Sequence, residues 1–197
     1  MANTLLPRAM SGTVDLPLSP LPERVAGLLS ELGSPPRLAA HLRAVHDVAR
    51  QLVDWMQQCC PAVIFDREAV LFGAATHDIG KTVHLEELSR PGSAHEEAGQ
   101  ALLLSHGISP ELARFAATHA SWAEAGVGFE DLLVSLADKI WKNKRVPELE
   151  DLVVAQLARV TGRAAWEEFI ALDEILARIG DVADERLAFQ ASFPIHN

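Results

Sequence analysis

Ala74-Ala75-Thr76-His77-Asp78-Ile79-Gly80-Lys81 closes an apolar run with an adjacent imidazole and carboxylate, followed by a glycine and a lysine. Backward from the pair the run reaches Asp66, whose short acceptor side chain suits a helix N-cap. Forward of it, Gly80 supplies the stop. The spacing therefore predicts a helix from Asp66 to the His77-Asp78 pair, with two metal-ligating side chains where the chain turns.

Outward from that helix the pattern stays helical from Pro22 onward. A short helix runs from Glu23 to Leu32, ended by Gly33 and Pro35-Pro36, and a long one from Arg37 to about Gln58, stopped before Pro61. Ser93 reads as the cap of a helix closed by Gly107, and Ser109-Pro110-Glu111 opens another to about His119. Further helices are expected from about Glu130 to Lys144, Glu148 to Val160, Ala164 to Ile179 and Ala183 to Ala191. No segment alternates with period two, so the fold class is all-α. Residues 1–20, with Pro7, Pro17 and Pro20, read as an extended or mobile arm, and residues 21–197 as one helical domain.

The chain has 197 residues, 49% of them hydrophobic and 22% charged, the composition of a single soluble domain. No apolar run approaches the ~20 residues of a membrane span, and the N-terminus lacks a signal-peptide pattern. The only cysteines, Cys59 and Cys60, are adjacent, which points to a reducing cytoplasm. A net charge of −10 argues against broad nucleic-acid or membrane-surface binding. The basic exception is local: the four lysines are Lys81, Lys139, Lys142 and Lys144, with Arg145 directly after. A small anionic ligand, or merely cations at helix ends, would explain that placement.

Helical phase puts polar residues on apolar faces. His41 lies within the stripe Leu38, Leu42, Val45, Ala49, Leu52, Met56, with His46 at its margin. His95 shares a face with Gly99 and Leu102, and Gly99 leaves room beside the imidazole. His119 follows Leu112, Phe115 and Ala116, and Asp138 lies on the side of Val134, Ser135 and Trp141. One inward histidine is commonly a satisfied core residue. Three, with two inward aspartates, favour a metal site over a structural polar network, because a buried carboxylate needs a cation or donors.

The same residues carry a resemblance. Thr76-His77-Asp78-Ile79-Gly80-Lys81 resembles the signature of the HD-domain superfamily of metal-dependent phosphohydrolases. His41-Leu42-Arg43-Ala44-Val45 is similar to its early histidine element. His95-Glu96-Glu97-Ala98-Gly99 and Thr118-His119-Ala120 resemble its two intervening histidine motifs, and Leu136-Ala137-Asp138-Lys139 its closing aspartate. The match covers roughly residues 37–145, leaving helices over 148–191 that complete the core or form a homodimer face.

The resemblance implies an HD-like helical bundle holding one metal through His41, His77, Asp78 and Asp138, with His46 a competing candidate for the first ligand. It implies a second held by His95 and His119, with Asp78 bridging; the ions would be iron, manganese, cobalt, nickel or magnesium. The activity implied is hydrolysis of a nucleotide or another small phosphoester by metal-activated water, with Asp78 and Lys81 in the chemistry. Lys81, Lys142, Arg90 and Arg145 are the substrate-binding candidates. Two alternatives remain open: a mixed-valent di-iron oxygenase built on the same ligands, and a non-catalytic nucleotide-sensing module. His84, His106 and His196 are expected outside the site. Asp131 falls near the face of Asp138, where it could support the site, but reads first as a first-turn acid favoured by the helix dipole.

Overall fold

The longest helix organises the molecule. In the computed structural model, which describes residues 5–13, 16–124 and 126–195, α1 spans Leu5–Ser11, α2 Glu23–Glu31 and α3 Pro36–Cys59. Every residue of α3 from Leu38 to Ala49 is buried, so this stretch has no solvent face. Its apolar stripe packs on α4 (Arg67–Thr76) and α8 (Phe129–Ile140). The opposite, polar face, with Arg43, His46 and Asp47, is covered by the N-terminal segment and by α11 (Ala183–Ala191).

That covering departs from the expected mobile arm. Residues 5–11 are helical, and Leu6, Ala9 and Met10, spaced three and four apart, are buried. Pro7 sits in the first turn, where its missing N–H leaves no helical bond unmade. Arg43 then fastens the segment: its guanidinium donates to the carbonyls of Ala9, Gly12, Leu18 and Ser19 at 2.8–3.5 Å. Residues 1–4, 14 and 15 of that arm, and His196, lie outside the described residues.

The remaining helices are α5 (Ala94–Ser105), α6 (Pro110–Ala113), α7 (Phe115–Thr118), α9 (Pro147–Thr161) and α10 (Ala165–Gly180). The helix expected from Ser109 to His119 is thus divided at Arg114, and two 3-10 turns, Ile79–Thr82 and Leu85–Leu88, follow the His77-Asp78 pair. No strand occurs among the described residues, and no described helix is long and apolar enough to cross a membrane. The fold is all-α.

Two apolar clusters fill the interior. One joins Leu38–Leu42 of α3 to α1, α2 and α5; the other joins Ala44–Met56 to α4, α8, α9 and α10. Ala74 belongs to one and Ala75 to the other, as do Phe115 and Ala116. His41, His77 and Asp78 therefore occupy the seam where the two clusters meet.

Candidate metal centre

Asp66 caps α4 by accepting the Ala69 N–H at 3.0 Å, and the helix delivers His77 as its last-turn neighbour with the imidazole fully buried. Three of the site histidines are oriented by their Nδ1 atoms. His77 Nδ1 lies 3.0 Å from the Ala74 carbonyl and His119 Nδ1 3.0 Å from that of Ala116. A carbonyl only accepts, so each Nδ1 carries the proton and each Nε2 presents a lone pair to the interior. His95 Nδ1 donates instead to the Glu87 carboxylate, 2.5 Å away, with the same result for its Nε2.

These lone pairs converge in two triads. His41, His77 and Asp138 form one; Asp78, His95 and His119 form the other. In the first, the Nε2 atoms of His41 and His77 stand 3.2 Å apart, and Asp138 Oδ1 lies 3.9 and 3.4 Å from them. In the second, Asp78 Oδ1 is 3.0 Å from His95 Nε2 and 3.5 Å from His119 Nε2. Asp78 also reaches the first triad: its other oxygen, Oδ2, lies 3.1 Å from His41 Nε2 and 3.7 Å from His77 Nε2. One carboxylate thus points one oxygen into each cluster.

The donor set fits metal ions. Bonds of ~2.1 Å to one ion put neighbouring ligand atoms about 3.0–3.4 Å apart in octahedral or tetrahedral geometry, and most separations here fall near that range. Two facing imidazole lone pairs repel unless a proton or a cation lies between them. All six side chains are buried, on α3, the α4 end, the turn after it, α5, the α7 end and α8.

Electrostatics keep the carboxylates charged and His119 neutral. Burial acts to raise Asp78, but the surrounding imidazoles, His77 first and then His41 and His95, outweigh it whenever they carry a second proton and hold the carboxyl well below its usual range. Asp138 is held low in the same way, against burial, by His77 and Lys139. Desolvation, with His77 adding to it, pulls His119 down to about 4. Asp78 and His95 are brought together by contact of two backbones. A Cβ on Gly80 would stand 2.0 Å from the His95 carbonyl oxygen, and one on Gly99 3.1 Å from the Gly80 nitrogen. Gly99 makes room for that turn rather than for the imidazole.

The cations sort clearly. Lys81 Nζ is 2.6 Å from Asp78 Oδ2, and Lys139 Nζ is 2.6 Å from Asp138 Oδ2. Lys139 therefore contacts a site carboxylate directly, and it lies 5.3 Å from the Trp122 ring. Lys142 is exposed, its ammonium 5.8 Å from the Trp141 ring. Arg145 does not join the centre: its guanidinium binds Glu150 at 2.6 and 2.9 Å and Asp173 at 2.8 Å, bracing α9 and α10. Arg90 is exposed on the loop before α5. His46 is buried but absent from both triads, while His84 pairs with Glu86 and His106 with the Leu102 carbonyl.

Two carboxylates support the site from outside the triads, the first of them without a signal in the sequence. Glu87 is one. Asp131 is the other: it is 1% exposed and accepts from Thr118 Oγ1 at 2.7 Å, the Gly128 N–H at 3.1 Å and Arg114 Nε at 3.2 Å. It pins the start of α8 to the segment that presents His119.

The HD domain family matches residues 38–185, a stretch that contains all six converging ligands. The chain belongs to the HD domain family, and its two buried His/Asp triads are arranged as a site able to hold two metal ions. No curated protein and no solved structure matches it.

Proposed function

We propose that the protein is a metal-dependent phosphohydrolase acting on a nucleotide or another small phosphoester. The observation that carries this reading is Asp78, whose two oxygens face separate triads. His41, His77 and Asp138 would hold one divalent cation, His95 and His119 the other, and Asp78 both. Such cations supply Lewis acidity toward a phosphoryl group and toward a water molecule.

The chain's own residues do the rest. The Nδ1 anchors of His77, His95 and His119 fix ring orientation, so no rotation is needed when a substrate enters. Lys81 and Lys139 bring two ammonium groups to the edge of the cluster, with side chains 20% and 13% exposed. There they neutralise charge that grows on phosphoryl oxygens. Burial of the aspartates keeps bulk water from screening these interactions.

The test is a phosphoester panel with protein loaded in turn with manganese, iron, cobalt, nickel or magnesium. Metal-dependent phosphate release that disappears in Asp78→Ala is the expected result. Dioxygen uptake by the iron-loaded protein, with no phosphoester hydrolysed, would overturn the reading in favour of an oxygenase.

A further inference from the structure

The two triads are not equally equipped. The first has Asp138 as a carboxylate of its own, whereas the second has only its share of Asp78. His95 is also placed differently from His77 and His119. Each of those rings bonds the carbonyl three residues earlier, within its own helix. His95 is the second residue of α5, so the residue three earlier is Gly92, in the loop before the helix. Its ring needs an acceptor from elsewhere.

Glu87 supplies one. The turn Leu85–Leu88 carries its carboxylate to the start of α5, where the side chain is 8% exposed. Oε2 takes the His95 Nδ1 proton at 2.5 Å and the His95 N–H at 3.2 Å, and Oε1 takes the Ala94 N–H at 3.1 Å. Ser93, in the N-cap position, makes no side-chain cap bond, so Glu87 performs that task too. The loop is shaped around the carboxylate: a Cβ on Gly92 would lie 2.2 Å from Glu87 Oε1.

We infer that Glu87 is the positioning residue that makes the second triad a metal site in its own right, fixing the His95 ring and lending it negative charge. A carboxylate accepting from Nδ1–H raises the donor strength of Nε2. It also adds a third carboxylate beside Asp78 and Asp138, offsetting two divalent cations more completely. The inference rests on the triads being metal sites.

Cobalt(II) titration of the whole protein, followed by visible absorption and by equilibrium dialysis, tests it. The wild type should bind two ions. Glu87→Gln keeps an acceptor but loses the charge, and should weaken the second ion by about 10- to 100-fold while leaving the first unchanged. Glu87→Asp should recover part of that loss, and Gly92→Ala, which displaces the carboxylate without altering it, should reproduce the defect. Two ions bound by Glu87→Gln with wild-type affinities would overturn the inference and leave Glu87 as a helix cap only. Loss of both ions together would also overturn it, assigning Glu87 to the fold. A wild type that binds fewer than two ions would instead sink the two-metal reading beneath it.

Discussion

The first triad draws His41 and Asp138 from within helices, whereas the second takes both its histidines from helix ends. His41 lies between Ala40 and Leu42 in α3 and Asp138 follows Ala137 in α8, all three of them core residues at zero exposure. His95 and His119 sit at the start of α5 and the end of the four-residue α7, where little helix remains to hold a side chain in place. Polar cross-links do that work instead, Glu87 for His95 and Asp131 for the segment before His119. Helix packing positions His41 and Asp138 in one half of the centre, and hydrogen bonds between segments position the other half. The second half should therefore be the easier to lose.

The sharpest way to break this comparison is to remove the atom pair common to both halves. Asp78→Ala should abolish binding of both ions and bring hydrolysis to background, measured by metal analysis and phosphate release. By contrast, His119→Ala should leave one ion bound. Lys81→Met, which keeps the apolar stem, should retain both ions yet lower turnover about 100-fold, the scale of a lost charge-stabilising donor. Unchanged turnover would remove Lys81 from the chemistry and leave it as a partner of Asp78.

Asp131→Asn addresses the second half alone. It weakens the bonds to Arg114 and Thr118, and because the Arg114 side chain is 33% exposed, water recovers part of the loss. A destabilisation of about 1–2 kcal/mol in urea unfolding is expected. The second ion should weaken with it, and an equal weakening of the first would show that the two halves are not held separately.

A last effect, felt only as the pH falls, concerns a buried histidine outside both triads. Desolvation holds His46 at about 4, below its usual 6.5. Above pH 6.5 it is neutral folded and unfolded, and contributes nothing to pH dependence. As pH falls from 6.5 toward 4 the unfolded chain takes up a proton that the folded chain refuses, so stability is lost over that window. The loss is about 2 kcal/mol between pH 7 and pH 5. In His46→Gln the slope of unfolding free energy against pH should flatten by that amount, whatever the variant's absolute stability.

The division between packing and hydrogen bonding also explains what could be read from the sequence. Helices announce themselves by period, so α2 to α5 and α8 to α11, with the Asp66 cap, were legible to within a few residues, and so was the inward phase of His41 and Asp138. Glu87 was not, because eight residues and a 3-10 turn separate it from His95, and no periodicity crosses such a loop. Arg145 was misplaced for the converse reason. A cation close after Asp138 suggests a phosphate, but Glu150, reached around the start of α9, takes the guanidinium first. The helix in the expected arm left a faint signal in Leu6, Ala9 and Met10, obscured by the prolines around it.

Arg43 reaches beyond the chemistry. Its guanidinium is nearly enclosed, and it takes the carbonyls of Ala9, Gly12, Leu18 and Ser19 as its only hydrogen-bond partners among the described residues. All four residues precede position 38, where the family match begins, and Phe189 and Phe193, which pack in the same cluster, follow position 185, where it ends. An expression clone trimmed to the matched segment would strand a buried cation and strip the cover from the helix that bears His41. The boundary by which relatives are recognised is narrower than the boundary within which this chain can be expected to fold.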